Sequence, residues 1–226
     1  MANLKVYGHI ISANTQRVLM ILKEKNVPYE LITVDFMHGE HKTPSYLEKH
    51  PFGQMPYIDD DGFILFESVA ISKYIAAKYR SNGTQLLPDS SDLEAFALFE
   101  QACCIESNDF YPLAGGIVME NVVKPLHGTS PNEVVVAELT AKLAGKLEGY
   151  EAILRKHEYL AGDKVTIADL AHLAVGSTMT HSGVKLLLDT EKWPNVARWW
   201  KDITSRPTWR EIWEERVVAA KLLAGS

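Results

Sequence analysis

The sequence predicts an α+β protein with two domains, because its pattern of apolar residues changes after about eighty residues. Short β-forming runs alternate with helical runs in residues 1–80, in the order β-α-β and then β-β-α. From residue 92 onward there is almost no strand signal, and long segments carry helical periodicity. The turn-rich stretch that joins them, SNGTQLLPDSSD, predicts a linker. We therefore expect a mixed domain over 1–80, a linker over 81–91 and an all-helical domain over 92–226.

The first half of the N-terminal domain predicts a parallel β-α-β unit. Residues 4–7 form the first predicted strand, and a helix begins near Ala13 with its apolar residues in the run VLMIL. Residues 29–34 are rich in β-forming residues and predict the second strand. A strand-helix-strand order implies a parallel pair with a right-handed crossover.

The second half of this domain predicts a hairpin followed by a helix. The strands 55–59 and 63–66 are separated by the turn sequence DDG, and a helix over 69–79 follows Ser68, a preferred N-cap residue. Pro56 stands at the start of the third strand, where on spacing alone it marks an edge or a bend. A cis peptide bond is the sharper hypothesis, since folded proteins use cis prolines sparingly.

The C-terminal domain predicts helices and a core rich in tryptophan. Segments with helical periodicity span residues 92–125, 131–157, 166–178 and 194–205. The first of them is expected to kink at Pro112, Gly115 and Gly116. The sequence TIAD, ending at Asp169, predicts a capping box with a structural role. The predicted core aromatics are Trp193, Trp199, Trp200, Trp209 and Trp213.

Composition and charge exclude several classes of protein. The net charge of −6 across 226 residues disfavours a general binder of nucleic acids or of anionic membranes. No apolar run is long enough to cross a membrane, and no secretory signal is visible, so no membrane association is expected. The cysteines are the adjacent Cys103 and Cys104, which do not form a disulfide framework. These features predict a cytoplasmic protein.

Three segments of the sequence carry a family resemblance: GHIISANTQRV, GEHKTPSYLEKHPFGQMPYIDDDGFILFESVAISKYIAAKY and YLAGDKVTIADLAH. With them the chain resembles the cytosolic glutathione transferases of the phi class over its full length. The resemblance implies a thioredoxin-like N-terminal domain (βαβ-ββα), an all-α C-terminal domain and a homodimer. It also implies an enzyme that joins the thiolate of glutathione, its co-substrate, to hydrophobic electrophiles, with organic hydroperoxide reduction as a second activity and no metal.

Ser12 is the candidate catalytic residue that the resemblance implies. It stands just ahead of the first helix, where a hydroxyl can donate to a thiolate and the helix terminus favours negative charge. Taken alone, Ser12 is better explained as an N-cap. Tyr7 is the competing hydroxyl, because other classes of this family use a tyrosine near the end of the first strand. The serine pattern matches more closely, and we interpret Tyr7 as a packed strand aromatic.

The resemblance also implies which residues bind glutathione. Glu67 would accept from the γ-glutamyl ammonium, and Ser68 with the amides of the helix behind it would bind the adjoining carboxylate. His41 and Lys42 would hold the glycyl carboxylate, although without the resemblance they read as a solvated basic pair. The segment that would align the central cysteine in strand-like pairing consists of Gln54, Met55 and Pro56.

The hydrophobic electrophile is expected to bind between the two domains, where pockets commonly form. The positions that match the family are Ile11, Ala13, Phe36, Met119 and Val123. Taken alone, each of them is better explained as core packing. A non-catalytic carrier of apolar metabolites could use the same cleft. A glutathione-dependent oxidoreductase is disfavoured, because the first domain contains no cysteine.

The sequence departs from the family pattern in three places. His9-Ile10-Ile11 stands where a proline is common before the serine, so the loop loses a stiffening residue. Met55 replaces a usual valine or isoleucine, which is tolerable if only its backbone binds. Val69 replaces an arginine that the family can use around the dimer interface, so packing is expected to contribute more to this dimer.

Overall fold

The computed structural model describes residues 4–224, which divide into two compact units. The first unit contains a four-stranded sheet of order β2-β1-β3-β4. Its described strands are β1 (Leu4–Gly8), β2 (Glu30–Thr33), β3 (Tyr57–Asp60) and β4 (Phe63–Phe66). Its described α-helices are α1 (Ala13–Glu24), α2 (Pro44–Leu47), α3 (Ser68–Lys78) and α11 (Pro207–Ala224).

The sheet confirms the predicted α+β class and its mixed topology. β1 pairs with β2 in parallel, whereas β1–β3 and β3–β4 are antiparallel. Asp60 pairs with Phe63, which leaves Asp61 and Gly62 as a two-residue hairpin loop. Both loop residues have positive φ, at 55° and 90°, which is the backbone twist that a tight hairpin requires and that glycine adopts readily. The core below the sheet includes the fully buried Val6 and Ile58.

The last helix, α11, belongs to the first unit, whereas the sequence placed its residues in the all-helical domain over 92–226. Lys23 near the end of α1 forms ion pairs with Glu211 and Glu215, at 3.0 and 3.3 Å. Trp209 of the same helix is 3% exposed. The units therefore divide after Leu86 and again before Pro207. This differs from the predicted division at 81–91, since periodicity shows that a helix exists but not which domain it packs on.

The first part of the expected linker is bound to the end of α1. Lys25, which is fully buried, donates from Nζ to the carbonyls of Arg80 and Thr84 at 3.3 and 2.8 Å. Gly83 has a φ of +51°, and a Cβ there would lie 2.0 Å from the Glu24 carbonyl oxygen. Only glycine fits this approach, so the segment is a fixed part of the first unit.

The second unit, Leu87–Arg206, is helical over most of its described length. Its longer helices are α4 (Leu93–Ile105), α5 (Tyr111–Val118), α7 (Glu133–Leu154), α9 (Leu173–His181) and α10 (Pro194–Ser205). Its short helices are α6 (Lys124–Leu126) and α8 (Ile167–Leu170). Short 3₁₀ turns lie at Glu40–Lys42 in the first unit and at Leu186–Leu188 in the second.

The first long helical segment is irregular on both sides of the residues predicted to kink it. Wide π-helical turns at Glu106–Phe110 and Met119–Val123 flank α5. The first of these turns runs directly into α5, where Pro112 has no N–H to contribute to the helical ladder. Gly116 lies within α5, and a Cβ there would be 2.7 Å from Leu139 Cδ1 of α7. This glycine therefore permits close packing of two helices rather than a break in one.

Asp169 has a larger structural role than the predicted cap. Its carboxylate accepts from the backbone N–H of Thr166 at 2.8 Å and of Leu160 at 2.9 Å. It also accepts from Trp199 Nε1 of α10 at 3.0 Å, and Asp169 is fully buried. Four of the five tryptophans are at most 3% exposed, and Trp213 is half-buried. One carboxylate thus joins a loop, the start of α8 and the tryptophan-rich α10.

Candidate functional site

Ser12 is the N-cap residue of α1. Its backbone is extended, at φ −67° and ψ 122°, and its Oγ accepts from the Thr15 N–H at 3.4 Å. The contact uses Oγ as an acceptor, and among the described residues no acceptor is recorded for its proton. The hydroxyl can therefore cap the helix and still donate to an anion in front of it. Ser12 is half-buried, so a ligand can reach it.

Side chains stiffen the loop before Ser12 in the absence of the usual proline. Gln16, which is 1% exposed, donates from Nε2 to the carbonyls of Ile10 and Ile11, at 2.8 and 3.2 Å. His9 Nδ1 accepts from the Ile11 N–H at 3.2 Å. Burial lowers the pKa of His9, while Asp35 opposes that shift. A neutral imidazole is the form that can accept this bond.

Gln16 was missed by the sequence analysis, although a signal for it exists. It is a polar residue within the run that forms the buried face of α1, and it lies one helical turn beyond Ser12. A buried side-chain amide usually forms hydrogen bonds to other polar groups. The amide of Gln16 donates to the two carbonyls of the loop.

Tyr7 is packed among other aromatic residues of the sheet. Its ring stacks on Tyr57 with centroids 4.5 Å apart and planes within 8°. Tyr46 meets Tyr57 edge-on at 5.1 Å and donates from its hydroxyl to the Gln54 carbonyl at 2.7 Å. Tyr7 is therefore packed against other aromatic side chains of the sheet, as we expected.

The segment before β3 presents an extended backbone next to the sheet. The peptide bond between Met55 and Pro56 is cis, as the sharper hypothesis supposed. The predicted strand from residue 55 instead begins at Tyr57, because Pro56 has no N–H to contribute to the ladder. No hydrogen bond joins the backbone of Met55 to another described residue. This backbone can therefore pair with an extended peptide ligand.

The start of α3 differs from the predicted cap at Ser68. Ser68 is the first helical residue, and Glu67 occupies the N-cap position without a side-chain cap bond. Glu67 is exposed and has φ 71° and ψ 106°, a conformation that is costly for a residue with a side chain. Such strain is typical of ligand sites. The first amides of α3 behind it have no side-chain cap, which leaves them able to bind an anion.

Ser68 itself is connected to α1. It is 7% exposed, its Oγ accepts from Arg17 Nη1 at 3.2 Å, and it donates to Asn14 Oδ1 at 3.3 Å. The start of α3 and the start of α1 are therefore held together by side chains. The two elements carry Ser68 and Ser12, the two hydroxyls assigned to glutathione.

His41 and Lys42 lie in the 3₁₀ turn Glu40–Lys42 and differ in their environments. Lys42 Nζ donates to the carbonyl of Gly53 at 2.6 Å, next to Gln54. The pKa of His41 is lowered, first by burial and second by Lys42, and its buried Nδ1 has no partner among the described residues. Burial and the neighbouring Lys42 therefore both disfavour the protonated form of His41.

The residues expected to bind the electrophile are divided between the two units. In the first unit, Phe36 meets the His9 ring edge-on at 5.2 Å, while Ile11 and Ala13 flank Ser12 and are half-buried. In the second unit, Met119 and Val123 lie in a π-helical turn, and Met119 is 49% exposed. Met119 is therefore too exposed to be a core residue, although the sequence pattern alone favoured core packing for it.

Two absences complete the description of residues 4–224. None of the helices in this range is both long enough and apolar enough to span a bilayer. Within the same range, no group of three or more His, Cys, Asp or Glu is arranged to hold a metal ion.

Comparison with known proteins shows the family of this chain. The family model of the glutathione S-transferase N-terminal domain matches residues 2–77, and that of the C-terminal domain matches residues 110–207. Glutathione S-transferase F6 of Arabidopsis thaliana is 40% identical over 212 residues, which cover 94% of this chain and all of the relative.

Solved structures show the same likeness over the whole fold. Glutathione transferase F7 from Populus trichocarpa has a TM-score of 0.89 and 38% identity, covering 94% of this chain and 99% of its own. Glutathione S-transferase I from maize, in complex with an atrazine glutathione conjugate, has a TM-score of 0.86 and 34% identity, covering 93% and 96%. The chain belongs to the glutathione S-transferase family of enzymes and, within it, to the phi class.

Proposed function

We propose that this protein transfers glutathione to hydrophobic electrophiles and that the Ser12 hydroxyl stabilises the reacting thiolate. The observation that carries the proposal is the position of Ser12, which caps α1 through its oxygen and keeps a proton to donate. A free thiol has a pKa of about 8.5, so it is mostly protonated at neutral pH. The hydrogen bond and the positive terminus of α1 both favour the thiolate, which is the nucleophile.

The two ends of glutathione would be held away from the reacting sulfur. The exposed carboxylate of Glu67 accepts from the γ-glutamyl ammonium, and Ser68 with the first amides of α3 binds the adjoining carboxylate. Lys42, with His41 beside it, holds the glycyl carboxylate. Gln54 and the unpaired backbone of Met55, before Pro56, bind the central cysteine in strand-like pairing.

The sulfur would then attack an apolar electrophile. The thiolate forms a carbon–sulfur bond and the leaving group departs with its electron pair, or the carbanion from an addition takes a proton from water. Ile11, Ala13 and Phe36 beside Ser12 are the proposed apolar contacts in the first unit, with Met119 and Val123 in the second. The maize relative, bound to an atrazine glutathione conjugate, supports this class of product.

The same thiolate could also reduce an organic hydroperoxide, and we include that activity in the proposal. We further propose a cytoplasmic homodimer whose role is detoxification. The two cysteines, Cys103 and Cys104, are consecutive in α4 and have no disulfide-framework spacing, as is usual for proteins of a reducing compartment.

Conjugation of a chlorodinitrobenzene with glutathione tests this function directly. The reaction is followed by absorbance, and binding of an apolar fluorescent dye is measured in parallel. We expect turnover that saturates with both substrates. Dye binding without conjugation would contradict the proposal and favour a carrier instead.

A further inference from the structure

Arg17 is a buried charge that the proposed chemistry does not use. It lies in α1, five residues after Ser12, and it is 7% exposed. Burial of a guanidinium is costly unless polar partners replace water. The described structure provides such a partner at the start of another helix.

One such partner is Ser68, the first residue of α3. Arg17 Nη1 donates to Ser68 Oγ at 3.2 Å, and that hydroxyl donates in turn to Asn14 Oδ1 at 3.3 Å. Ser68 is fixed a second time, because its carbonyl accepts from Ser72 Oγ at 2.7 Å. The guanidinium therefore contacts the side chain of the first residue of α3, a helix whose N-terminus has no side-chain cap.

We propose that Arg17 is a positioning residue for the γ-glutamyl carboxylate of glutathione. This inference rests on the proposed function, in which Ser68 binds that carboxylate. Arg17 holds the Ser68 oxygen in place and puts a positive charge behind the anion subsite. It also joins that subsite to α1, the helix whose first turn is capped by Ser12.

The mechanism follows from the hydrogen-bonding capacity of a hydroxyl, which accepts and donates at once. A charged donor polarises the hydroxyl and makes it a stronger donor itself. When the carboxylate binds, the Ser68 proton turns from Asn14 Oδ1 to the carboxylate oxygen, while Arg17 still donates to Ser68 Oγ. No proton leaves any group, so the effect is on affinity and not on acid–base chemistry.

A matched pair of peptides separates this role from a purely structural one, in which Arg17 only holds α1 and α3 together. The first peptide is glutathione. The second is γ-aminobutyryl-cysteinylglycine, in which hydrogen replaces the γ-glutamyl carboxylate. Their affinities are measured by isothermal titration calorimetry for the wild type, for Arg17→Gln and for Arg17→Lys. Lys23→Gln is the control, because it removes a positive charge from the same helix at an ion pair with Glu211 and Glu215.

We expect Arg17→Gln to weaken glutathione binding about tenfold and binding of the second peptide by less than about twofold. Arg17→Lys keeps the positive charge but loses the planar guanidinium. It should therefore lower the ratio of the affinity for glutathione to the affinity for the second peptide by a smaller factor than Arg17→Gln does. Lys23→Gln should leave the ratio unchanged. Thermal unfolding shows which variants are folded. If Arg17→Gln does not fold, the comparison of the two peptides rests on Arg17→Lys.

Equal weakening of both peptides would overturn the inference, because it is the result of a structural role alone. Unchanged affinity for glutathione in both Arg17 variants would overturn it as well. A wild-type protein that does not distinguish the two peptides would contradict the proposed subsite at Ser68, and the inference with it.

Discussion

Replacing Gln16 with leucine is the sharpest test of how the loop before Ser12 is held. Leucine fills a similar volume but removes the Nε2 donors to the carbonyls of Ile10 and Ile11. Each bond contributes about 1 kcal/mol net, so the pair contributes about 2 kcal/mol. Gln16 Oε1 is buried without a partner among the described residues, and removing it returns part of that loss. We therefore expect the free energy of unfolding to fall by about 1–2 kcal/mol.

Activity should fall more than stability suggests. A loosened loop displaces Ser12 relative to the bound thiol, and small misplacements cost about tenfold or more in rate. We expect kcat for conjugation to fall about tenfold, while KM for glutathione changes little because other residues hold its ends. Urea denaturation and steady-state conjugation measure the two effects on the same protein.

Gln85→Leu is the matched control. Gln85 also donates from Nε2 to a carbonyl, that of Arg80 at 2.6 Å, but it is exposed and lies far along the chain from Ser12. Its replacement should change stability by less than about 0.5 kcal/mol and leave kcat unchanged. If Gln16→Leu behaved like Gln85→Leu, the account of the loop would be wrong.

The remaining predictions concern glutathione binding, pH and assembly. Glu67→Ala and Ser68→Ala should each weaken glutathione binding in calorimetry without raising the pKa of the bound thiol, and normal affinity in both would refute their roles. Stability should fall as pH drops below about 6.5, because the pKa of His9 is lower in the folded than in the unfolded chain, so the unfolded chain takes up the proton first. His9→Asn, which does not titrate, should flatten that fall relative to the wild type. Analytical ultracentrifugation should show a dimer at low and at high salt, as expected if Val69 replaces an ion pair by packing; a monomer, or dissociation by salt, would contradict this.

Local patterns predicted the strands and most helices because short-range rules dominate there. The sequence DDG required a turn, and the structure uses Asp61 and Gly62 for it. The strand predicted from Met55 begins at Tyr57, since Pro56 cannot donate to the ladder. Helix α10, predicted over 194–205, has those bounds.

Long-range packing decided what the patterns missed. Helix α11 lies on the first unit, where Glu211 and Glu215 pair with Lys23 almost two hundred positions away and Trp209 is buried, and no local pattern encodes such contacts. The distortion predicted near Pro112 takes the form of π-helical turns on both sides of α5, a form that the sequence pattern did not specify. At the site, the proposed role of Ser12 comes from the family motif. The sequence marks Gln16 as a polar residue in a buried run, but the partners of Gln16 and Arg17 are known only from the structure.

The pKa of the glutathione thiol bound to the enzyme tests the central claim most directly. Thiolate absorbance in the ultraviolet, followed against pH, gives this pKa for the wild type, Ser12→Ala, Ser12→Thr, Ser12→Asp and Tyr7→Phe. Alanine removes both the cap and the donor, threonine keeps both, and aspartate keeps the cap while its charge opposes the thiolate.

We predict a wild-type pKa below the free thiol value of about 8.5 and a rise of about one unit or more in Ser12→Ala, which corresponds to about 1.4 kcal/mol of thiolate stabilisation. Conjugation should slow by about tenfold in parallel. Threonine should retain the low pKa, and aspartate should raise it although α1 remains capped. An unchanged pKa in Ser12→Ala, or a rise in Tyr7→Phe instead, would contradict the assignment of the thiolate donor to Ser12.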